Sequence, residues 1–170
     1  MTPLPSALLK GRKSTTFTAW RLEKKAHEST WDQGIGAEKM GGRWSPVGMP
    51  VIYASIDPST TILEVAVHAG FKALDAVPHV LIGIDVVAPK RVHVVKPDDV
   101  PNLAWLHPGS VSAGQQAFGA SLLHTHPMVL VPSVVSKLSW NLLINPRTAT
   151  GMFTELAREP FGLDGRLSPP

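Results

Sequence analysis

Apolar positions in this chain fall into short blocks whose spacing switches between the two-residue period of strands and the longer period of helices. Residues 17–22 (FTAWRL) read as a first strand and residues 50–55 (PVIYAS), rich in Val, Ile and Tyr, as a second. Residues 79–87 (HVLIGIDVV) are almost continuously apolar, which predicts a central strand. Residues 90–95 contain the alternating RVHVV and read as half exposed. Residues 128–131 and 141–145 form two further short strands, stopped by Pro132 and Pro146, and residues 152–158 form a late one.

Two segments read as helices. Asp57-Pro58 supplies a carboxylate N-cap followed by proline at the first helical position. From there Ile62, Val65, Ala66 and Ala69 recur at the spacing of a buried face, as far as about Phe71. A second helix fits residues 110–123, although Gly114 and Gly119 weaken it. Between the first two strands, residues 31–49 read as a long Gly-rich loop in which Trp31, Met40 and Trp44 predict an ordered, partly buried path. Residues 96–109 are turn-rich, and residues 1–16 read as a loose arm ahead of one domain over 17–170. Strands and helices follow no regular alternation. The expected class is therefore mixed α+β with a predominantly antiparallel or mixed sheet.

Composition narrows the function classes. A chain of 170 residues with 44% hydrophobic and 17% charged positions buries its own core without staples. With 16 Pro and 14 Gly the elements must be short, so a long helical bundle is excluded. Cysteine is absent, which removes disulfide scaffolds, zinc ribbons and cysteine nucleophiles. No run reaches the roughly 18 apolar residues of a membrane span. Residues 1–16 lack a signal-peptide core, so a cytoplasmic location is expected. The net charge of +3 is a mild excess. Lys10, Arg12, Lys13, Lys24 and Lys25 read mainly as solvated charge, and no basic-aromatic interleaving marks a nucleic-acid binder.

Several common motifs fail. Gly34-x-Gly36 meets Lys39 where a dinucleotide fingerprint needs glycine. No phosphate-binding GxxxxGK[ST] occurs, and Ser133 is not in a GxSxG elbow. His124-Thr125-His126 offers two imidazoles without accompanying carboxylates, so ordinary polar contacts and no metal are expected there.

Three residues carry candidate chemistry. Arg43 follows Gly41-Gly42, a pair that lets backbone approach a ligand while the guanidinium grips a phosphate or carboxylate; a surface arginine in a turn is the alternative. Tyr53, the single tyrosine, offers a face and a hydroxyl, or else a core ring with a satisfied hydroxyl. Glu64 sits among Ile62, Leu63, Val65, Ala66 and Val67, with His68 one turn later on the same face. It either faces solvent or lines a cleft as a candidate catalytic carboxylate.

These residues lie in segments that together resemble the RES domain, the toxin half of bacterial RES–Xre toxin–antitoxin pairs. The resemblance rests on Gly41-Gly42-Arg43-Trp44-Ser45-Pro46, Val51-Ile52-Tyr53-Ala54-Ser55 and Leu63-Glu64-Val65-Ala66-Val67-His68. It continues through Val131-Pro132-Ser133, Asn141-Leu142-Leu143-Ile144-Asn145-Pro146 and the closing Phe161-Gly162-Leu163-Asp164-Gly165-Arg166-Leu167. Trp20-Arg21 stands where an aromatic-arginine pair opens the domain, so the resemblance covers about residues 17–167. Ser45 departs from it, since asparagine is common after the tryptophan.

The resemblance implies a compact ADP-ribosyltransferase-like fold and an enzyme that consumes NAD as substrate, with no bound cofactor. By position it assigns Arg43, Tyr53, Glu64 and Ser133 to catalysis. NAD contacts would come from Arg21, Arg43, Tyr53 and Asn145. It implies cleavage of the nicotinamide–ribose bond with water or phosphate as acceptor. The alternatives are ADP-ribosylation of a protein target and a non-catalytic partner-binding module. The implied partner is an Xre-like helix-turn-helix antitoxin that blocks the active site and supplies any DNA contact, with a homodimer of this chain in the complex.

Overall fold

A computed structural model describes residues 4–9, 15–164 and 166. Lys10, Arg12 and Lys13 lie outside the described residues, as do Gly165 and Leu167 of the closing motif.

The described residues form seven strands: β1 Phe17–Lys24, β2 Ile52–Ser55, β3 His79–Val86, β4 Val92–Val94, β5 Met128–Pro132, β6 Trp140–Ile144 and β7 Phe153–Phe161. Four α-helices accompany them: α1 Ile35–Met40, α2 Pro58–Ala69, α3 Phe71–Ala76 and α4 Ala113–Thr125. The strands make one sheet in the order β4-β5-β6-β2-β1-β3-β7. Only β4 and β5 run parallel among the described strands, so the expected α+β class with a mixed, mainly antiparallel sheet holds. β3 is internal but not central, because β7 covers one of its sides and takes the edge.

The sheet has a seam. β1 pairs with β3 along its whole length, from Phe17↔Val86 to Lys24↔His79. With β2 it shares one register pair, Trp20↔Ser55. One face of the sheet carries the largest cluster, including Ala19, Ile52, Ile82, Ile84, Leu130 and Leu142. Leu4, Ala7 and Leu8 pack against it, so the described part of the expected loose arm is part of the core. On the other face, a cluster of Val129, Val131 and Leu143 packs with Phe118 and Leu123 of α4. Across the seam, Leu22 packs with Ala66 of α2 and Leu74 of α3. Thus α4 covers the β5–β6 half, while α2 contacts β1 and β2 on either side of the seam and walls a cleft left above it.

Local chemistry explains where elements stop. Asp57 caps α2 by accepting the Thr60 N–H at 2.7 Å, with Pro58 in the first turn, as expected. Gly70, at φ 82°, ends α2 and restarts the chain as α3, a helix the periodicity did not separate. Ala69 is exposed rather than buried, because it lines the open cleft rather than the Leu22 contact made by Ala66. The long loop at 31–49 contains α1, whose six residues are too few to show a period. Trp31 and Trp44 are buried as expected, whereas Met40 is 82% exposed. In α4 a Cβ at Gly119 would collide with the Trp44 carbonyl, so this glycine is the condition for close helix–turn packing. No helix of the described residues is long and apolar enough to cross a membrane.

Candidate active site

The cleft above the seam holds a cavity of about 450 Å³ whose wall includes Arg21, Arg43, Tyr53, Glu64, His68 and Asn141. Four of these come from the sequence-level candidate set. The strand pairing accounts for the cavity: where β1 and β2 part beyond Trp20↔Ser55, backbone groups lose their ladder partners and side chains fill the gap.

Glu64 projects from α2 and is half-buried. Its Oε1 accepts hydrogen bonds from the Ser133 hydroxyl, at 2.8 Å, and from the Asn141 side-chain amide. Asn141 is oriented in turn by the Ser55 hydroxyl, which donates to its Oδ1 at 2.7 Å. Two donors on one oxygen answer the desolvation cost of a carboxylate among apolar neighbours. No protein donor among the described residues engages Oε2, so this oxygen is available to a ligand. Ser133 is only 3% exposed and does not line the cavity. Its hydroxyl, which also accepts the Ser136 N–H at 2.9 Å, acts on Glu64 rather than on a substrate.

Tyr53 braces the segment that carries Arg43. Its hydroxyl accepts the Trp44 N–H at 3.1 Å and lies 2.9 Å from Ser45 Oγ. Burial pushes the phenol pKa up, opposed by the Ser45 hydroxyl, the Trp44 N–H and the nearby Arg43 charge. The Gly42 N–H donates to the Ser45 carbonyl at 2.8 Å, closing a tight turn around Arg43. A Cβ on Gly42 would collide with the Tyr53 hydroxyl. This glycine therefore admits the tyrosine, not a ligand as the doubled glycine suggested. Ser45, the departure from the family pattern, is fully buried and in contact with Tyr53. Arg43 itself is half-buried, with one long contact from its guanidinium to the exposed Gly109 carbonyl at 3.4 Å.

Arg21 lines the cavity but is already paired. Its guanidinium bonds to Glu23 and donates to the Tyr53 carbonyl at 2.8 Å, bridging β1 to β2 past the seam pair. Glu23 balances its charge, which leaves Arg43 as the better placed phosphate contact. Asn145 lies outside the cavity. Its side chain accepts the Arg147 N–H at 3.0 Å and donates to the Leu123 carbonyl at 3.1 Å, fixing the turn after β6. The asparagine at the site is Asn141, which sequence reasoning missed. Both sit in NLLIN with the same strand parity, so the alternation that marks a shared face does not choose between them. His68 lines the cavity one turn after Glu64 and is exposed, with no hydrogen bond to it among the described residues.

The remaining histidines are elsewhere. His126 stacks on His93 of β4, with centroids 4.2 Å apart and rings 5° from parallel. Burial and the neighbouring His126 lower the His93 pKa, against the opposing charge of Asp99.

Comparison with known proteins agrees with the resemblance read from the motifs. The RES domain family model matches residues 18–164. A protein named Toxin Res from Photorhabdus laumondii is 30% identical over 155 residues, covering 87% of this chain and 95% of the relative. A protein named Prs ADP-ribosylating toxin from a Sphingobium species is 30% identical over 141 residues, or 77% of this chain and 83% of the relative. Among solved structures, the M. tuberculosis MbcT–MbcA toxin–antitoxin complex aligns with TM-score 0.64 at 22% identity over 86% of this chain and 85% of that one. That likeness shows the fold, and it is compatible with the ADP-ribosyltransferase-like class.

Proposed function

Because the chain belongs to the RES domain family, we propose that it is the toxin of a bacterial toxin–antitoxin pair and cleaves the nicotinamide–ribose bond of NAD. The observation that carries this reading is Glu64 at the wall of a cavity of about 450 Å³, with one carboxylate oxygen held by Ser133 and Asn141 and the other without a protein donor among the described residues.

The chemistry needs little more than that carboxylate. As the bond from the ribose anomeric carbon to the nicotinamide nitrogen breaks, positive charge builds on the ribose, as in glycoside cleavage. Glu64 stabilises that charge and accepts a ribose hydroxyl. Nicotinamide takes the bonding electrons and leaves neutral, so no strong general acid is required. Water or phosphate then bonds to the anomeric carbon, and a water acceptor loses its proton to solvent. Arg43 exchanges its long contact with Gly109 for the NAD pyrophosphate. Tyr53 presents its ring while its hydroxyl holds the turn that aims Arg43. Arg21 braces the cavity, and Asn145 has no contact role.

A second reading, transfer of ADP-ribose to a protein, is favoured by the relative named as an ADP-ribosylating toxin. Both reactions share the first bond cleavage and differ in acceptor. The partner we propose is an Xre-like antitoxin that covers the cleft, with a homodimer of this chain in the complex and DNA contact left to the antitoxin. Support for an antitoxin comes from the solved neighbour, itself a toxin–antitoxin complex. Incubating the purified chain with NAD, with and without phosphate, separates these readings. ADP-ribose or its 1-phosphate beside nicotinamide supports degradation. Label appearing only on added protein supports transfer, and binding without nicotinamide release leaves a non-catalytic module.

A further inference from the structure

The loop between β5 and β6, residues 133–139, grips α2 at two places. At one end the Ser133 hydroxyl donates to Glu64 Oε1 at 2.8 Å and accepts the Ser136 N–H at 2.9 Å. At the other end the Ser139 hydroxyl donates to Asp57 Oδ2 at 2.6 Å. The loop is closed between these points, since the Ser139 N–H donates to the Ser136 carbonyl at 2.8 Å and the Ser133 N–H to the Ser139 carbonyl at 3.0 Å. Asp57 is the N-cap of the helix that bears Glu64, and the two are separated by two turns, roughly 10 Å.

The cap does not need this bond. Asp57 already takes the Thr60 N–H and the Thr60 hydroxyl, each at 2.7 Å. Ser139 is 6% exposed, so its hydroxyl is withheld from water to make the one extra contact. We propose that Ser139 is a positioning residue: by latching Asp57 it fixes the 133–139 loop against α2, and thereby the direction in which Ser133 turns the open oxygen of Glu64 into the cavity. Without the latch the Ser139 end loosens, the Ser133 N–H bond to the Ser139 carbonyl passes that movement on, and Ser133 no longer holds the carboxylate plane. The catalytic consequence rests on Glu64 being the working carboxylate.

The test is a double-mutant cycle of Ser139→Ala and Ser133→Ala, read by steady-state nicotinamide release. Misplacing a reacting group by about 1 Å costs up to about a hundredfold, so Ser139→Ala should lower kcat by about ten- to a hundredfold. KM for NAD should stay within about twofold, because the variant removes no ground-state contact. The double variant should be no slower than Ser133→Ala alone, since both act through one carboxylate. Additive losses, or an unchanged kcat in Ser139→Ala, overturn the latch. If Ser139→Ala does not fold, Ser139→Cys keeps a small side chain with only a weak donor in place of the hydroxyl, and it should show the same split between kcat and KM. An unchanged kcat there overturns the proposal equally. If wild type releases no nicotinamide, the NAD reading fails, and the latch is read from the side-chain carboxyl resonance of Glu64 in 13C-glutamate-labelled protein. Ser139→Ala should move that resonance as Ser133→Ala does, and a resonance that stays in place overturns the latch without reference to NAD.

Discussion

Glu64 shows how much of a site is decided by the neighbours of a single residue. In sequence it is a carboxylate in an apolar helix, equally suited to solvent or a cleft. Its role becomes legible only when β6 brings Asn141, and the connection from β5 to β6 brings Ser133, to the same oxygen. Neither is near Glu64 in the chain, so spacing alone does not reveal the cluster. Tyr53 was legible as a chemical residue but not in its task, because its hydroxyl holds the Trp44 N–H and Ser45. Tyr53→Phe should therefore lower stability by about 1–3 kcal/mol, the cost of leaving a buried donor unpaired. It should also weaken NAD binding by loosening Arg43, which calorimetry would detect. Arg43→Lys should bind NAD less tightly because a point charge does not reproduce a two-pronged guanidinium; unchanged affinity would remove Arg43 from phosphate recognition.

At the scale of elements, strands and caps were readable where local chemistry is strong, as was the end of α2 at Gly70, and α1 and α3 were not. Each of these two helices has six residues, which carry too short a period for detection. Gly119 was read as a weakness of α4, whereas Trp44 requires it. Gly119→Ala should force the helix off the turn and cost about 1–3 kcal/mol, seen as a lower melting temperature. At the start of α2, burial alone would raise the Asp57 carboxyl pKa. Hydrogen bonds from Ser139, from the Thr60 N–H and hydroxyl and from the Ser59 N–H outweigh it and hold the group below its usual value. A pKa lowered in the folded state makes stability rise with pH through this range. The contribution of Asp57 is complete above its unfolded value near 3.9 and is lost as pH falls through the lower folded value. Asp57→Ala should cost about 0.5–2 kcal/mol at pH 7. Melting curves for wild type and variant should converge as the solution is acidified below about pH 4.

For the whole molecule, the α+β class followed from irregular element order, while the seam between β1 and β2 did not. Strand periodicity says which residues alternate, not where two neighbouring strands part, and the parting creates the cavity. The family motifs supplied the site where periodicity stopped, because they mark Arg43, Tyr53 and Glu64 in segments that the fold gathers at that seam. The proposed breaking of the nicotinamide–ribose bond in this cavity turns on Glu64. Its most direct test compares nicotinamide release from NAD by wild type and by Glu64→Gln. The amide oxygen still accepts from Ser133 and Asn141, so the melting temperature should hold while release falls by about 10²–10³ with the loss of charge. A folded Glu64→Gln protein that releases nicotinamide at the wild-type rate would contradict the account.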